Sequence, residues 1–268
     1  MLYLGDLEMR HCAKLISDLP RGEVQSFKDF GKIANKITAE DTAILYNYRY
    51  RKLLNTIGDK CPNVFPNVNA SNFCANRAES IQLLDTITKF PIKRTYYPAT
   101  SGHHRVNLKK GHVYKIGDLQ QGRGKFNGNQ QDTLDVYRNS YIEEEFLVGK
   151  SMRVLWIYPN NIFLIEHVNS SNWIANVDPD EEIVHDMFDV SYELKSTIIT
   201  DALYMIHHLR TMNMLSLTWG FDYVVGHRTG LLEANDMCGL PIHQGIDQAF
   251  LEACKMVHSK GFNRGFSI

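Results

Sequence analysis

The chain lacks any long apolar run. No stretch approaches the roughly 18 apolar residues that a membrane-spanning helix needs, so no membrane partner is expected. Cysteine is scarce: Cys12, Cys61, Cys74, Cys238 and Cys254 are odd in number and form no C-x-x-C pair. That excludes a disulfide framework and a zinc ribbon and points to reduced thiols in the cytoplasm. Charge of one sign is not in excess either, with 29 Lys+Arg against 30 Asp+Glu. Such a balance gives no reason to expect a nucleic acid or an anionic membrane as partner. Met1 to Asp6 has no basic n-region and no long apolar segment, so it is not read as a signal peptide. Repeats and low-complexity tracts are missing, as are the P-loop and Rossmann glycine spacings.

What is present lies mostly in the second half. Leu231-Leu232-Glu233-Ala234-Asn235 places Glu233 and Asn235 at i and i+2, on one side of an extended strand. Upstream, Trp219 to Val225 reads as a second strand carrying Asp222. The turn Gly226-His227-Arg228-Thr229-Gly230 would join the two as a hairpin. Asp222, Glu233 and Asn235 would then offer hard oxygen donors suited to Mg2+ rather than zinc. An earlier strand pattern, His112 to Ile116, carries Lys115 and runs into Gly117-Asp118-Leu119-Gln120-Gln121-Gly122-Arg123-Gly124-Lys125. Its glycine-rich backbone can approach phosphate oxygens, although a mobile hairpin tip would read the same way in isolation. Between the two lies Tyr141 to Ile157, with Glu143, Glu144, Glu145, Phe146 and Arg153. Taken alone, it reads as a solvated strand end followed by a surface strand.

In this order and spacing the segments resemble the ATP-grasp superfamily over roughly residues 76 to 245, with glutathione-synthetase-like, ribosomal-protein-glutamate-ligase and D-alanine–D-alanine-ligase types as the nearest patterns. The resemblance implies an α/β (α+β) fold in which two antiparallel-sheet lobes hold ATP, behind a small N-terminal α/β lobe. It implies that Lys115, Gly117, Gln121, Gly122, Gly124 and Lys125 cover the phosphates. Glu143, Glu144, Glu145 and Phe146 fall in the linker that holds adenine and ribose, and Arg153 of the G-x-x-x-R-V strand reaches the terminal phosphate. Asp222, Glu233 and Asn235 become the ligands of Mg2+ (or Mn2+). Asn172 to Val177 is a weaker echo of an aromatic-Arg-x-Asn segment. Ile174 stands where those relatives carry an arginine, and Gly220 stands where D-alanine–D-alanine ligases carry a catalytic one. Arg153 is therefore the expected catalytic cation, with Arg123, Arg105 and Lys150 in reserve.

The implied division is 1–75 for the N-terminal lobe, 76–140 for the small ATP lobe and 141–268 for the large lobe with the metal site. At 268 residues the chain is long enough for three lobes. Leu2 to Leu4 and Ala43 to Tyr46 are strand candidates, and Lys52 to Ile57 a short helix. Turn-rich Cys61 to Asn67 bounds the first lobe. Asn76 is the expected cap of a helix carrying Ala78, Ile81, Leu84 and Ile87. Acidic Asp178 to Asp189 reads as a loop with a solvated face. Ile198, Ala202, Ile206 and Leu209 mark an amphipathic helix, and Ile246 to Val257 another. His103-His104 precedes a strand, and His207-His208 point about 100° apart; neither pair reads as a metal site. Cys238 reads as a packing residue.

The expected activity is carboxylate–amine (or carboxylate–thiol) ligation through an acyl phosphate. Its partners are ATP, a carboxylate and an amine acceptor such as an amino acid or peptide, and a homodimer stays open. A kinase acting on a hydroxyl and a non-catalytic nucleotide-binding module are the alternatives. The module is disfavoured on the ground that clustered carboxylates need a bound cation.

Overall fold

The structure is a computed structural model and describes residues 2–5, 10–17, 23–25, 35, 37–46, 51–58, 60–61, 63–117, 124–170, 179–187, 190–237 and 239–260. The N-terminal part alternates strand and helix: β1 (Leu2–Gly5), α1 (Arg10–Ser17), β2 (Glu23–Gln25), β3 (Thr42–Tyr46), α2 (Arg51–Gly58) and β4 (Asn63–Phe65). These strands form an all-parallel sheet in the order β2-β1-β3-β4. Four successive residues, Thr42 to Leu45, are buried, the run expected of a parallel strand covered on both faces. The turn-rich stretch Cys61 to Asn67, expected to be a boundary, contains β4. Val64 and Phe65 are buried there against Ala43 and Ile44, so burial outweighs the flanking prolines.

Two capped helices follow, α3 (Val68–Ala75) and α4 (Arg77–Ile87). Asn67 accepts from the Ala70 amide, and Asn76 accepts from the Glu79 amide as expected. Beyond them, β5 (Arg94–Tyr97), β7 (His112–Ile116), β8 (Lys125–Asn127) and β10 (Tyr141–Glu145) form a small antiparallel sheet in the order β5-β10-β7-β8. Strands β6 (His103–Asn107) and β9 (Thr133–Tyr137) pair as a separate ribbon. His103 and His104 lie within β6 rather than before it. Tyr141 to Glu145, expected to be a linker, is instead a central strand of the small sheet. Buried Glu144 tolerates that position because Lys115 and Arg94 of the neighbouring strands meet it, while Glu143 and Glu145 meet the loop cations Lys109 and Arg228.

The large sheet holds β11 (Gly149–Ile157), β12 (Asn161–Val168), β13 (Glu181–His185), β14 (Thr218–Gly226) and β15 (Gly230–Asp236) in the order β13-β12-β11-β14-β15. The acidic stretch 178–189 was expected to be a loop, but Glu181–His185 pairs with β12 as an edge strand. Helices α5 (Tyr192–Leu194) and α6 (Thr200–Thr211) run on through a π-helical turn over Lys195–Ile199, and α7 (Gln244–Lys260) closes the described chain. Met152, Val154, Trp156, Phe221 and Tyr223 join α6 and α7 in one core. Fully buried Asp201 of α6 accepts from the Tyr223 hydroxyl (3.0 Å), the Thr88 hydroxyl (2.6 Å) and the Lys89 amide (2.7 Å), fixing the helix on the sheet and on the end of α4. Among the described residues no helix is long and apolar enough to cross a membrane.

Candidate active site

The β14–β15 hairpin forms as its glycine-bounded turn predicts, and its register decides which side chains meet. Arg153 is paired with Asp222 across β11–β14, and Asp222 with Glu233 across β14–β15. Residues directly opposite one another project from the same face, so the three form a row across the sheet. Asn235, two residues beyond Glu233, shares that face. A β-bulge interrupts the pairing after Asp222: Tyr223 pairs with Leu231 and Asp222 with Glu233, leaving Leu232 as the extra residue. Bulges commonly re-aim side chains beside active sites.

The row is ion-paired throughout. Arg153 donates twice to Asp222, Nε to Oδ1 at 2.7 Å and Nη2 to Oδ2 at 3.0 Å, and Asn235 Nδ2 donates to Asp222 Oδ2 at 3.2 Å. Glu233 Oε1 lies 3.3 Å from Lys125 Nζ, a contact that reaches from β15 to β8 of the small sheet. Burial alone would raise the Glu233 carboxyl, but Lys125, Lys115 and Arg77 outweigh it and hold it well below the usual carboxylate range. The expectation that these carboxylates would need a bound cation is corrected here, because the protein supplies Arg153 and Lys125.

Among the described residues no three His, Cys, Asp or Glu side chains gather as a metal site. The trio nevertheless fits Mg2+ chemically. It offers the carboxylates of Asp222 and Glu233 and an amide oxygen, all hard donors on one face, and Glu233 is kept deprotonated, as metal binding requires.

The small sheet faces this row with a buried charge network. Glu144 meets Lys115 Nζ at 2.8 Å through Oε1 and Arg94 Nε at 2.8 Å through Oε2. Arg94 also pairs with Asp85 and donates to the Leu231 (2.7 Å) and Leu232 (3.3 Å) carbonyls of β15. Lys115 Nζ lies 3.4 Å from the same Leu232 carbonyl. The bulge that aims Glu233 is thus held by two cations of the other sheet. Burial brings the Lys115 ammonium down to about 8 despite Glu144 beside it.

The remaining expected residues are placed as follows. Gly117 (φ 54°) and Gly124 (φ 69°) bracket the glycine-rich segment in the left-handed region that favours glycine, and the Ile116 amide closes it on the Gly124 carbonyl at 2.7 Å. Gln121, Gly122 and Arg123 lie outside the described residues, as do Ile174, the Asn172 to Val177 echo and Cys238. Glu143 pairs with Lys109 (2.7 Å), Glu145 with Arg228, and the Phe146 amide donates to the Gly111 carbonyl (2.8 Å). Arg105 bonds Thr133 on the ribbon and Lys150 pairs with Glu166, so neither joins the row. Gly220 is opposite Asn235 and brings no cation.

Sequence reasoning missed Arg94 and Asp85, because a cation within a strand reads as surface. It also missed Glu182, dismissed with the acidic run, and His167, whose signal was only its place in the alternation of β12. His167 Nε2 lies 3.3 Å from Glu182 Oε1 on the face that carries Arg153.

No protein-family model matches the chain, and no curated protein matches it in sequence. Solved structures do match. D-alanyl-alanine synthetase A from Vibrio cholerae O1 is similar at TM-score 0.69 and 11% identity, over 97% of this chain and 97% of that one. D-alanine–D-alanine ligase from Bacillus anthracis, solved with ATP, gives 0.60 at 12% identity over 97% and 93%. The ATP-grasp ligase PsnB, solved with a minimal precursor, gives 0.55 at 12% identity over 97% and 99%. The chain has the ATP-grasp fold, with helices packed on antiparallel sheets behind a parallel N-terminal sheet.

Proposed function

We propose that the chain is an ADP-forming, ATP-dependent ligase that activates a carboxylate as an acyl phosphate and joins it to an amine or, less often, a thiol, with Mg2+ (or Mn2+) as cofactor. The observation that carries this reading is the ion-paired row Arg153–Asp222–Glu233, contacted from the small sheet by Lys125. The similar structures are named as ligases, and one was solved with ATP, which supports the same assignment.

ATP takes the space between the two antiparallel sheets, with Glu143 to Phe146 at its nucleoside end. Lys115 and Lys125 neutralise the phosphates, and the backbone of Gly117 to Gly124 covers them. Asp222, Glu233 and Asn235 would hold Mg2+, which would supply Lewis-acid screening of the phosphate charge. Arg153 and Lys125 now balance the carboxylates, and in the loaded enzyme they turn to the terminal phosphate. The substrate carboxylate attacks the γ-phosphorus, releasing ADP. The acceptor then attacks the acyl carbon, the C–N bond forms as the C–O bond to phosphate breaks, and the amine gives up its proton. Positioning and charge neutralisation carry both steps.

Kinase chemistry is the second reading, favoured by Gly220. That residue places no cation beside Asn235, and phosphorylation of a hydroxyl needs no stabilised tetrahedral carbon. Product analysis with amino acids, dipeptides and polyols separates the two. A ligase releases ADP and phosphate only when acid and amine are both present, whereas a kinase releases ADP without phosphate.

A further inference from the structure

None of the three glutamates of β10 is free to hold a ribose. Glu144 faces the large sheet, and both its oxygens are taken by Lys115 and Arg94. Glu143 and Glu145 alternate with it along the strand and project from the other face. There Glu143 meets Lys109 and the Tyr97 hydroxyl, and Glu145 pairs with Arg228. The segment has backbone groups to offer a base, but its carboxylates are committed.

The large sheet supplies a carboxylate instead. Glu182 of β13 is paired in register with His167 of β12, and His167 with Ser151 of β11. Ser151 stands two residues before Arg153, so the three share the face that carries Asp222 and Glu233. The His167 side chain is 1% exposed, and its Nε2 reaches Glu182 Oε1 at 3.3 Å. A neutral ring that donates there keeps a lone pair on Nδ1, and this buried atom has no hydrogen-bond partner among the described residues. Leaving a buried imidazole nitrogen unsatisfied is unfavourable, which marks the row as one built to meet a donor. Glu182 makes no other hydrogen bond or ion pair among the described residues. The hydrogen bond from His167, and more weakly the charge of Arg153, hold its carboxyl below the usual value against partial burial.

Order along β11 indicates which part of a nucleotide this row meets. The strand starts at Gly149, shortly after Phe146. The Ser151 row lies between that start and the Arg153 row, about 7 Å from the latter. On the function proposed above, the base lies by Glu143 to Phe146 and the phosphates lie over Arg153, Asp222 and Glu233. Ribose joins base to phosphates, so it falls at the Ser151 row. Its 2′- and 3′-hydroxyls are adjacent donors, and a carboxylate is the acceptor that ribose hydroxyls meet in other nucleotide sites.

We propose that Glu182, positioned by His167, accepts hydrogen bonds from the ribose hydroxyls of ATP, so that strand β13 rather than the glutamates of β10 reads the sugar. This rests on the ATP-binding reading of the site, and the test separates the two. Mg-ATP, its 2′-deoxy and 3′-deoxy forms, and Mg-tripolyphosphate, which has no nucleoside, are titrated by calorimetry into the wild type and its variants. The wild type should bind ATP about ten- to a hundred-fold more tightly than at least one deoxy form, the range of one charge-assisted hydrogen bond. In Glu182→Ala that ratio should collapse to within about two-fold, while the affinity for tripolyphosphate stays within about two-fold of the wild type. Glu182→Gln keeps an acceptor oxygen without the charge and should retain a small part of the ratio. His167→Gln should lower the ratio by less than Glu182→Ala. A wild-type ratio near one overturns the assignment, as does a full ratio kept in Glu182→Ala. An equal loss for ATP and tripolyphosphate in that variant also overturns it, because the damage then is not to the sugar site. Each of these outcomes spares the ATP reading, whereas a wild type that binds no ATP removes both.

Discussion

The two antiparallel sheets both bury charge, and they do so differently. In the small sheet, Glu144 has both oxygens taken by Lys115 and Arg94, and Arg94 also holds Asp85 and two carbonyls of β15. Most of these groups come from that sheet or pack against it, and the network leaves little for a ligand to take. In the large sheet, Asp222 is met by Arg153 from the neighbouring strand and Glu233 by Lys125 from the other sheet. On the proposed function Mg2+ replaces those cations at the carboxylates, so that their turn to phosphate strands no buried charge. Buried ion pairs that are closed on themselves specify geometry, and pairs that can exchange partners suit a site.

Four predictions bear on that contrast. The largest effect is expected where the closed network is cut. Arg94→Met leaves Asp85 and Glu144 without their shared cation and should cost about 3–5 kcal/mol of stability, read from the urea midpoint. A small effect there would mean that the network is open to water and not the closed unit described. Glu233→Ala cuts the exchangeable row. It should lower ATP turnover by about 10²–10³-fold, the size of one preorganised electrostatic group, with a smaller change in melting temperature than Arg94→Met. Equal damage to fold and turnover would erase the distinction between the sheets.

Lys115 belongs to both regions and should reveal itself by pH. Its folded value of about 8 lies below that of an unfolded lysine, near 10.4. Between those values the unfolded chain binds more protons, so this group makes stability rise with pH across that window. If Lys115 also neutralises phosphates, Mg-ATP affinity should fall above about pH 8, by at most about ten-fold per unit for one proton. The fall should vanish in Lys115→Met. A pH-independent wild-type affinity would take Lys115 out of the phosphate site. The smallest effect is expected at Lys150. Its side chain is 68% exposed, and its pair with Glu166 should be worth no more than about 1 kcal/mol. Lys150→Ala should leave turnover unchanged, and a large loss would restore it as a reserve cation.

How far the site was legible follows from the same contrast. Asp222, Glu233 and Asn235 could be placed on one face because i, i+2 spacing and a glycine-bounded turn are local signals. The bulge at Leu232 was not legible, because it depends on cations that arrive from the other sheet. Arg94 carried no signal of its own, since its partners Asp85 and Glu144 lie nine residues before it and fifty after it in the chain. Acidic 178–189 read as solvated because strand β13 is short and has only Ile183 and Val184 as apolar signal. Its pairing with β12 becomes visible only once His167 meets Glu182. Of the N-terminal strands, β1 and β3 were readable from apolar runs, whereas β2, with Val24 as its one apolar residue, and β4, hidden between prolines, were not.

The most direct test of the central claim is the melting temperature of the wild type and of Glu233→Gln with and without Mg-ATP. At about 100 times the dissociation constant, Mg-ATP should stabilise the wild type by about 2.7 kcal/mol, and Glu233→Gln should lose most of that gain while melting near the wild-type temperature without nucleotide. No shift in the wild type, or the same shift in both proteins, would contradict the assignment of the Arg153–Asp222–Glu233 row to Mg-ATP.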